Sequence, residues 1–97
     1  MTWRRSFEFT GEEPFFQGHF PGLPVLPGVV QLSLAREFAE AALGIRTPLK
    51  EVRKMKFMRV IVPGRQVTLE IVPADGANVG YVFKEGERTC SSGLLVY

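Results

Sequence analysis

The sequence predicts an α+β fold in which an antiparallel sheet wraps around one helix. Residues 28–43 form the single stretch of helix length in which apolar side chains recur at helical spacing. On both sides of it, apolar and polar residues alternate with a period of two, which is typical of half-buried strands. One nearly enclosed helix combined with four or five antiparallel strands indicates an α+β layout.

The elements can be assigned in chain order. A first strand is predicted from Trp3 to Phe9 and ends at Thr10 and Gly11. The helix is predicted from Gly28 to Leu43, with Gly44 as its C-terminal stop. We expect this helix to be buried on most sides and polar along one narrow stripe. The stripe consists of Ser33, Arg36, Glu37 and Glu40.

The second half of the chain is predicted to consist of strands and turns. A long strand is expected over residues 49–62, and it stops at Pro63 and Gly64. The clearest alternation covers residues 67–71. A turn follows at residues 74–78, and a hairpin around Glu85 and Gly86 joins residues 79–84 to residues 87–97. Because such a sheet leaves its edges and one end of the core open, we expect a dimer with a continuous sheet.

Composition excludes several classes of protein. The 97 residues are enough for one domain, residues 1–97, and the net charge of +2 is too small to indicate nucleic-acid binding. No signal peptide or membrane span is visible, and the one cysteine, Cys90, fits a reducing compartment as a buried thiol, so we expect a cytoplasmic protein. One histidine and one cysteine cannot form the usual zinc site, and no phosphate loop or dinucleotide fingerprint is present. No metal or cofactor is therefore predicted.

The most informative residue is His19, the only histidine, which lies in the segment PFFQGHFPGLPVLPGVVQL at residues 14–32. Four of the seven prolines and three of the ten glycines fall in this segment, which favours a loop of one fixed shape. An imidazole that titrates near neutral pH, placed before a helix N-terminus, suits acid/base chemistry on a carbonyl. Without further context, a structural histidine is the more common interpretation.

The run G-H-F-P-G-x-P-V-x-P-G-V-x-x-L resembles the central motif of bacterial 3-hydroxyacyl-[acyl-carrier-protein] dehydratases of the hotdog fold. The resemblance implies that His19 is the base and that the backbone N–H of Gly28 binds the thioester carbonyl. It also implies a dimer with active sites at the subunit interface. Residues proposed to line the substrate site are Phe15, Phe16, Phe20, Leu23, Leu26, Val29 and Ser33, although aromatic residues in a small domain are more often core.

The sequence departs from this family at the general acid. The related dehydratases have Asp or Glu fourteen residues after the histidine, and this chain has Ser33 there. Glu37 is one helical turn further on and is expected to lean back toward Ser33, where it could supply the proton. Two alternatives remain open. Glu37 pairs with Arg36 or Arg53, or Ser33 orients a water molecule that donates the proton.

The resemblance also implies that an acyl carrier protein delivers the substrate. Acyl carrier proteins are acidic, so a basic patch could steer them, although a solvated strand face is the ordinary interpretation. The patch consists of Arg46, Lys50, Arg53, Lys54, Lys56 and Arg59. The short length and the phrase LPGVVQL are most similar to the compact dehydratases of aryl-polyene and other specialised lipid pathways. A non-catalytic acyl-thioester-binding subunit of a heteromeric dehydratase is the second hypothesis, and a hotdog thioesterase is the third.

Overall fold

The fold consists of one long helix and a five-stranded antiparallel sheet. The computed structural model describes residues 1–16, 22 and 24–97. In chain order, the elements are β1 (Trp3–Glu8), a 3-10 helix (Pro14–Phe16), α1 (Gly28–Leu43), β2 (Glu51–Phe57), β3 (Gln66–Pro73), β4 (Asn78–Glu85) and β5 (Arg88–Val96). The strand order is β1-β3-β4-β5-β2. The predicted α+β layout is confirmed.

The bounds of α1 agree with the prediction from sequence. Pro27 precedes the helix in an extended conformation, and Gly44 ends it with φ of 65°, in the left-handed region that glycine adopts without steric cost. The helix packs on the sheet through Ala35 and Ala39, which are fully buried and small enough for close approach. No helix in residues 1–16, 22 and 24–97 combines the length and apolar character that a membrane crossing requires.

The burial of α1 differs from the prediction that it is enclosed on most sides. Within this single chain, its buried residues are Gln31, Ala35 and Ala39. An exposed row at a spacing of four runs along the opposite side and consists of Val29, Ser33, Glu37 and Ala41. The expected polar stripe is divided, because Ser33 and Glu37 are exposed whereas Arg36 and Glu40 are half-buried.

Arg36 and Glu40 are half-buried because they form a network with Tyr97. The Arg36 Nε donates to Glu40 Oε2 at 3.1 Å, and the Tyr97 hydroxyl donates to the same oxygen at 2.7 Å. Burial raises the pKa of Tyr97 to about 12, and the hydrogen bond to the Glu40 carboxylate contributes in the same direction. This network joins the middle of α1 to the end of the described chain.

The second strand is shorter than the predicted 49–62. It contains a register shift between Arg53 and Lys56, where Lys54 has φ of 56°. Beyond Phe57, the backbone amides of Met58 and Arg59 both donate to the carbonyl of Cys90, at 2.8 and 3.0 Å. One carbonyl that accepts two consecutive amides interrupts the regular ladder, so β2 ends there.

The core lies on one face of β3, β4 and β5. Along β3, the residues predicted to alternate do so, with Val67, Leu69 and Ile71 at most 1% exposed. Phe83 and Cys90 are fully buried on the next two strands, and burial raises the pKa of the Cys90 thiol. The predicted hairpin around Glu85 and Gly86 is confirmed by the pairing of β4 with β5.

Candidate active site at the start of the helix

The predicted site falls partly outside the described residues. His19 and Phe20, like Leu23, belong to residues 17–21 and 23, which the structure does not describe. Their proposed roles therefore stay predictions. The other predicted residues can be located, and they lie in α1, in the segment just before it, or in the core.

In the first turn of α1, two backbone donors have no partner among the residues that the structure describes. The amides of Val30 and Gln31 both donate to the carbonyl of Pro27, at 3.0 Å each. Pro27 has no side-chain acceptor with which to cap the helix. The amides of Gly28 and Val29 consequently have no hydrogen-bond acceptor among residues 1–16, 22 and 24–97. Free amides and the positive end of the helix dipole favour an oxyanion at this point.

A cavity of about 300 Å³ adjoins these amides. A Cβ atom added to Gly28 would lie 2.8 Å from Cζ of Phe57, so only glycine allows the ring to close over the helix start. The cavity is predominantly apolar, which strengthens electrostatic interactions inside it. Its lining consists of Val25, Leu26, Pro27, Gly28, Gln31, Phe57, Met58, Arg59 and Val60.

The predicted substrate-binding residues occupy different positions. Leu26 lines the cavity and is also part of the core, with 3% of its surface exposed. Phe16 packs in the core against Phe9 and Phe15, with ring centroids 5.8 and 5.1 Å away, and does not line this cavity. Val29 is 70% exposed beside the helix start. Phe16 is therefore a core residue, as the alternative interpretation of the aromatic residues held.

Ser33 and Glu37 lie one turn apart on the exposed row of α1. The two arginines considered as partners for Glu37 are engaged elsewhere, because Arg36 pairs with Glu40 and Arg53 pairs with Glu51. Across the described part of the chain, Glu37 forms no ion pair or side-chain hydrogen bond. The structural pairing considered for Glu37 is thus not observed.

A buried polar network beside the cavity was not predicted. Gln31 is 3% exposed, its Nε2 donates to the carbonyl of Leu26 at 3.0 Å, and it accepts a hydrogen bond of 2.6 Å from the fully buried hydroxyl of Ser91. The amide of Leu26 in turn donates to Ile61 at 2.8 Å. These bonds fix the segment that leads into α1. The spacing of Gln31 from Ala35 and Ala39, four and eight residues, was the signal that it faces the sheet.

Among residues 1–16, 22 and 24–97, no three side chains of His, Cys, Asp or Glu cluster closely enough to hold a metal ion.

An antiparallel sheet folded against one helix is the hotdog fold, and similarity to curated 3-hydroxyacyl-[acyl-carrier-protein] dehydratases places this protein in the dehydratase-like class of that fold. A family model matches residues 2–94, and the chain belongs to that family, the ApeI-like family of the ApeI dehydratase.

Several curated relatives are named 3-hydroxyacyl-[acyl-carrier-protein] dehydratase FabZ, and two of them illustrate the similarity. The protein from Oenococcus oeni is 40% identical over 98 residues, which cover 89% of this chain and 70% of the relative. The protein from Ruegeria sp. is 33% identical over 95 residues, which cover 89% of this chain and 59% of the relative. The matched part of the chain thus spans 59% and 70% of the length of these two relatives.

The structure is similar to the dehydratase heterocomplex ApeI:P from Xenorhabdus doucetiae. The TM-score is 0.90 at 23% sequence identity, and the match covers 98% of this chain and 85% of that chain. At this identity the likeness establishes the fold.

Proposed function

We propose that this protein converts 3-hydroxyacyl thioesters, carried on an acyl carrier protein, to trans-2-enoyl thioesters and water. The proposal rests above all on the first turn of α1, where the amides of Gly28 and Val29 lack partners among the described residues and adjoin an apolar cavity. Membership in a dehydratase family and the motif around His19 support the same reaction.

In the proposed mechanism, His19 removes the proton from the carbon next to the thioester carbonyl. The electron pair of that C–H bond moves onto the carbonyl oxygen, which the amide of Gly28 stabilises. When the pair returns, a carbon–carbon double bond forms and the bond to the β-hydroxyl breaks. The departing hydroxyl takes a proton and leaves as water, so the step needs no external oxidant or reductant.

We propose Glu37 as the proton donor, with Ser33 leaving room for it or orienting the water molecule that delivers the proton. Both residues lie on the exposed row of α1, which begins at Val29, the residue after the cavity-lining Gly28. Helical side chains lean toward the N-terminus, which brings the Glu37 carboxyl toward Ser33. The absence of a structural partner for Glu37 in the described residues favours this role over a fixed ion pair.

The proposed functional unit is a homodimer. β2 is an edge strand, and the side that does not face β5 has no partner strand among the described residues. Large apolar side chains are exposed on it and just beyond it: Met55 (41%), Phe57 (54%), Met58 (52%) and Val60 (67%). An unpaired edge bordered by exposed apolar surface favours pairing with a second chain, which would extend the sheet.

The proposed partner is an acyl carrier protein, and the proposed location is the cytoplasm. The basic patch of Arg46, Lys50, Arg53, Lys54, Lys56 and Arg59 is exposed throughout, as steering of an acidic partner requires. Charge reversal at Arg53, Lys54 and Lys56 is expected to weaken carrier binding. Unchanged affinity would remove this part of the proposal.

A second candidate is an acyl-thioester-binding subunit that depends on a partner for the acid. The serine at position 33 favours it, and so does the likeness to a dehydratase that forms a heterocomplex. In this case the homodimer would be well folded but inactive, and adding a partner subunit with a carboxylate would restore turnover.

The two candidates are separated by incubating the purified protein with 3-hydroxyacyl and enoyl carrier thioesters. Interconversion of the two supports the dehydratase, and Glu37→Gln is then expected to lower turnover strongly while Glu12→Gln, an exposed glutamate away from α1, serves as the matched control. Inactivity of the folded homodimer supports the binding subunit. Release of free thiol would instead indicate a thioesterase.

A further inference from the structure

A second cavity, of about 440 Å³, lies between the segment that follows β2 and the β4–β5 hairpin. Three arginines and one glutamate contribute to its lining, so it is strongly cationic for a chain whose total net charge is +2. Its lining consists of Arg59, Val60, Val62, Arg65, Glu85 and Arg88. We refer to it as the arginine cavity.

The charges of the arginine cavity are not balanced internally. Arg65 Nη1 donates to Glu85 Oε1 at 2.8 Å. Arg59 and Arg88 form no ion pair with any residue in the described ranges. Neighbouring like charges repel one another, and a bound anion would offset that repulsion. Guanidinium groups are suited to phosphate, because their planar N–H groups donate two parallel hydrogen bonds.

The arginine cavity adjoins the candidate active site. Arg59 and Val60 line both cavities, and Val60 is 67% exposed between them. Beyond Val60, the lining becomes apolar and reaches Gly28. A ligand that fits both cavities has an anionic group at one end, an uncharged arm in the middle and a polarisable carbonyl at the other end.

We propose that Arg59, Arg65 and Arg88 bind the phosphate of a phosphopantetheine arm, whose thioester then lies beside Gly28. This inference rests on the proposed dehydratase function, since that function supplies the thioester. The same phosphate occurs on a carrier protein and in coenzyme A, so the cavity recognises the arm that the two share.

The test compares 4′-phosphopantetheine with pantetheine, which lacks the phosphate, as probes in NMR titrations at low salt. The wild-type protein is expected to bind the phosphorylated probe about tenfold more tightly, the size of one charge-assisted hydrogen bond. In Arg65→Gln/Arg88→Gln the two affinities are expected to agree within about twofold, because the phosphate contacts are gone. Raising the ionic strength should reduce the wild-type preference.

Arg4→Gln/Arg5→Gln is the matched control, since it removes the same charge from exposed residues on β1, outside both the arginine cavity and the basic patch. It should keep the full preference for the phosphorylated probe. An equal loss in both double variants would show that general charge alone is responsible and would overturn the site. A wild-type protein without preference, or a preference that survives Arg65→Gln/Arg88→Gln, would also overturn it.

Binding and catalysis give separate readouts. A phosphate preference that depends on Arg65 and Arg88 supports the site even if no enoyl thioester forms, in which case the proposed reaction fails alone. If the protein turns over its substrate but shows no preference for the phosphorylated probe, the proposed phosphate site is wrong and the proposed reaction is not affected. Parallel titrations with coenzyme A and with the carrier protein bearing its phosphopantetheine arm show which of the two supplies the arm, because that molecule binds more tightly. Arg65→Gln/Arg88→Gln should weaken the binding of coenzyme A and of the carrier protein.

Discussion

Gly28 combines two requirements in one residue. It must leave room for the ring of Phe57, and in the proposed reaction its amide must also be accessible to a thioester. In Gly28→Ala, the new methyl group would lie 2.8 Å from Phe57 Cζ, so the ring must move and the cavity changes shape. We expect kcat/KM to fall roughly 10- to 100-fold, because small misplacements of a reacting group have effects of this size.

Gly80→Ala is the control for this substitution. The added Cβ would meet only the carbonyl oxygen of Val72, at an ordinary contact distance of 3.5 Å, in a strand away from the cavity. Its kcat/KM should stay within about twofold of the wild type. Equal activity of the two alanine variants would contradict the assignment of Gly28 to the site.

Glu13 stabilises the turn between β1 and the proline-rich segment. Its carboxylate accepts hydrogen bonds from the amides of Thr10 and Gly11, at distances of 2.9 to 3.1 Å. The hydrogen bond from the Thr10 amide is the largest cause of a pKa below the ordinary 4.5. Because the pKa of this carboxyl is lower in the folded state, its ionisation stabilises the fold at pH values above its pKa in the unfolded state. This contribution disappears as the pH falls through its pKa in the folded state.

Thermal unfolding of Glu13→Gln across a pH series tests this contribution. The variant should unfold at a lower temperature than the wild type at neutral pH, and the difference should shrink as the pH falls below about 4.5. Glu12→Gln is the control, because the Glu12 side chain forms no hydrogen bond in the described part of the chain. If the difference in unfolding temperature between wild type and Glu13→Gln were constant with pH, the carboxylate charge would not be the cause of the stabilisation.

Among the helices and strands, the junction of α1 with the sheet depends on Gln31. Gln31→Leu would leave the Leu26 carbonyl and the buried Ser91 hydroxyl without their partner, at a cost of about 1–3 kcal/mol in unfolding free energy. Combining Gln31→Leu with Ser91→Ala also removes the buried hydroxyl that would otherwise lack a partner. We therefore expect the double variant to lose less stability than the sum of the two single variants.

Urea unfolding of the four proteins in this cycle measures the coupling between Gln31 and Ser91. A coupling energy above about 0.5 kcal/mol is expected for groups in direct contact. Purely additive losses would mean that the 2.6 Å hydrogen bond contributes nothing to the junction.

Local sequence signals predicted some of these elements and missed others. The bounds of α1 were predicted because Gly44 is a local signal for the helix end, and β3 because its alternation is strict. The end of β2 was missed because it depends on Cys90, which is more than 30 residues away in the chain. Ser91 was missed for the same reason, since it meets Gln31 across 60 residues. Contacts of this kind leave no periodic pattern in the sequence.

Assembly involves the surface of the folded chain. The helix α1 has an exposed row, and the outer edge of β2 has no partner strand within the described part of the chain. A single chain therefore does not enclose the helix as the sequence predicted. In the proposed dimer, a second copy supplies the missing cover. The sequence predicted the open edges of the sheet, because they follow from the number of strands. It did not predict the exposed apolar residues beyond Phe57, because β2 was expected to continue to residue 62.

Met55→Glu tests this assembly. A charge placed on the β2 edge should shift the protein from dimer to monomer, measured by sedimentation equilibrium over a range of concentrations, because burying an unpaired carboxylate is costly. Val72→Glu is a matched control, since Val72 on β3 is 42% exposed and Met55 is 41% exposed. A dimer unaffected by Met55→Glu, or disrupted equally by Val72→Glu, would place the interface elsewhere.

The central claim is that His19 removes the proton next to the thioester carbonyl, and deuterium incorporation tests it most directly. The protein is incubated in D2O with an enoyl carrier thioester, and the product is examined by mass spectrometry for deuterium at that carbon. We predict that the wild type forms hydrated product with one deuterium at that carbon, and that a folded His19→Ala variant forms this product no faster than the uncatalysed reaction. Incorporation by His19→Ala at the wild-type rate would contradict the account.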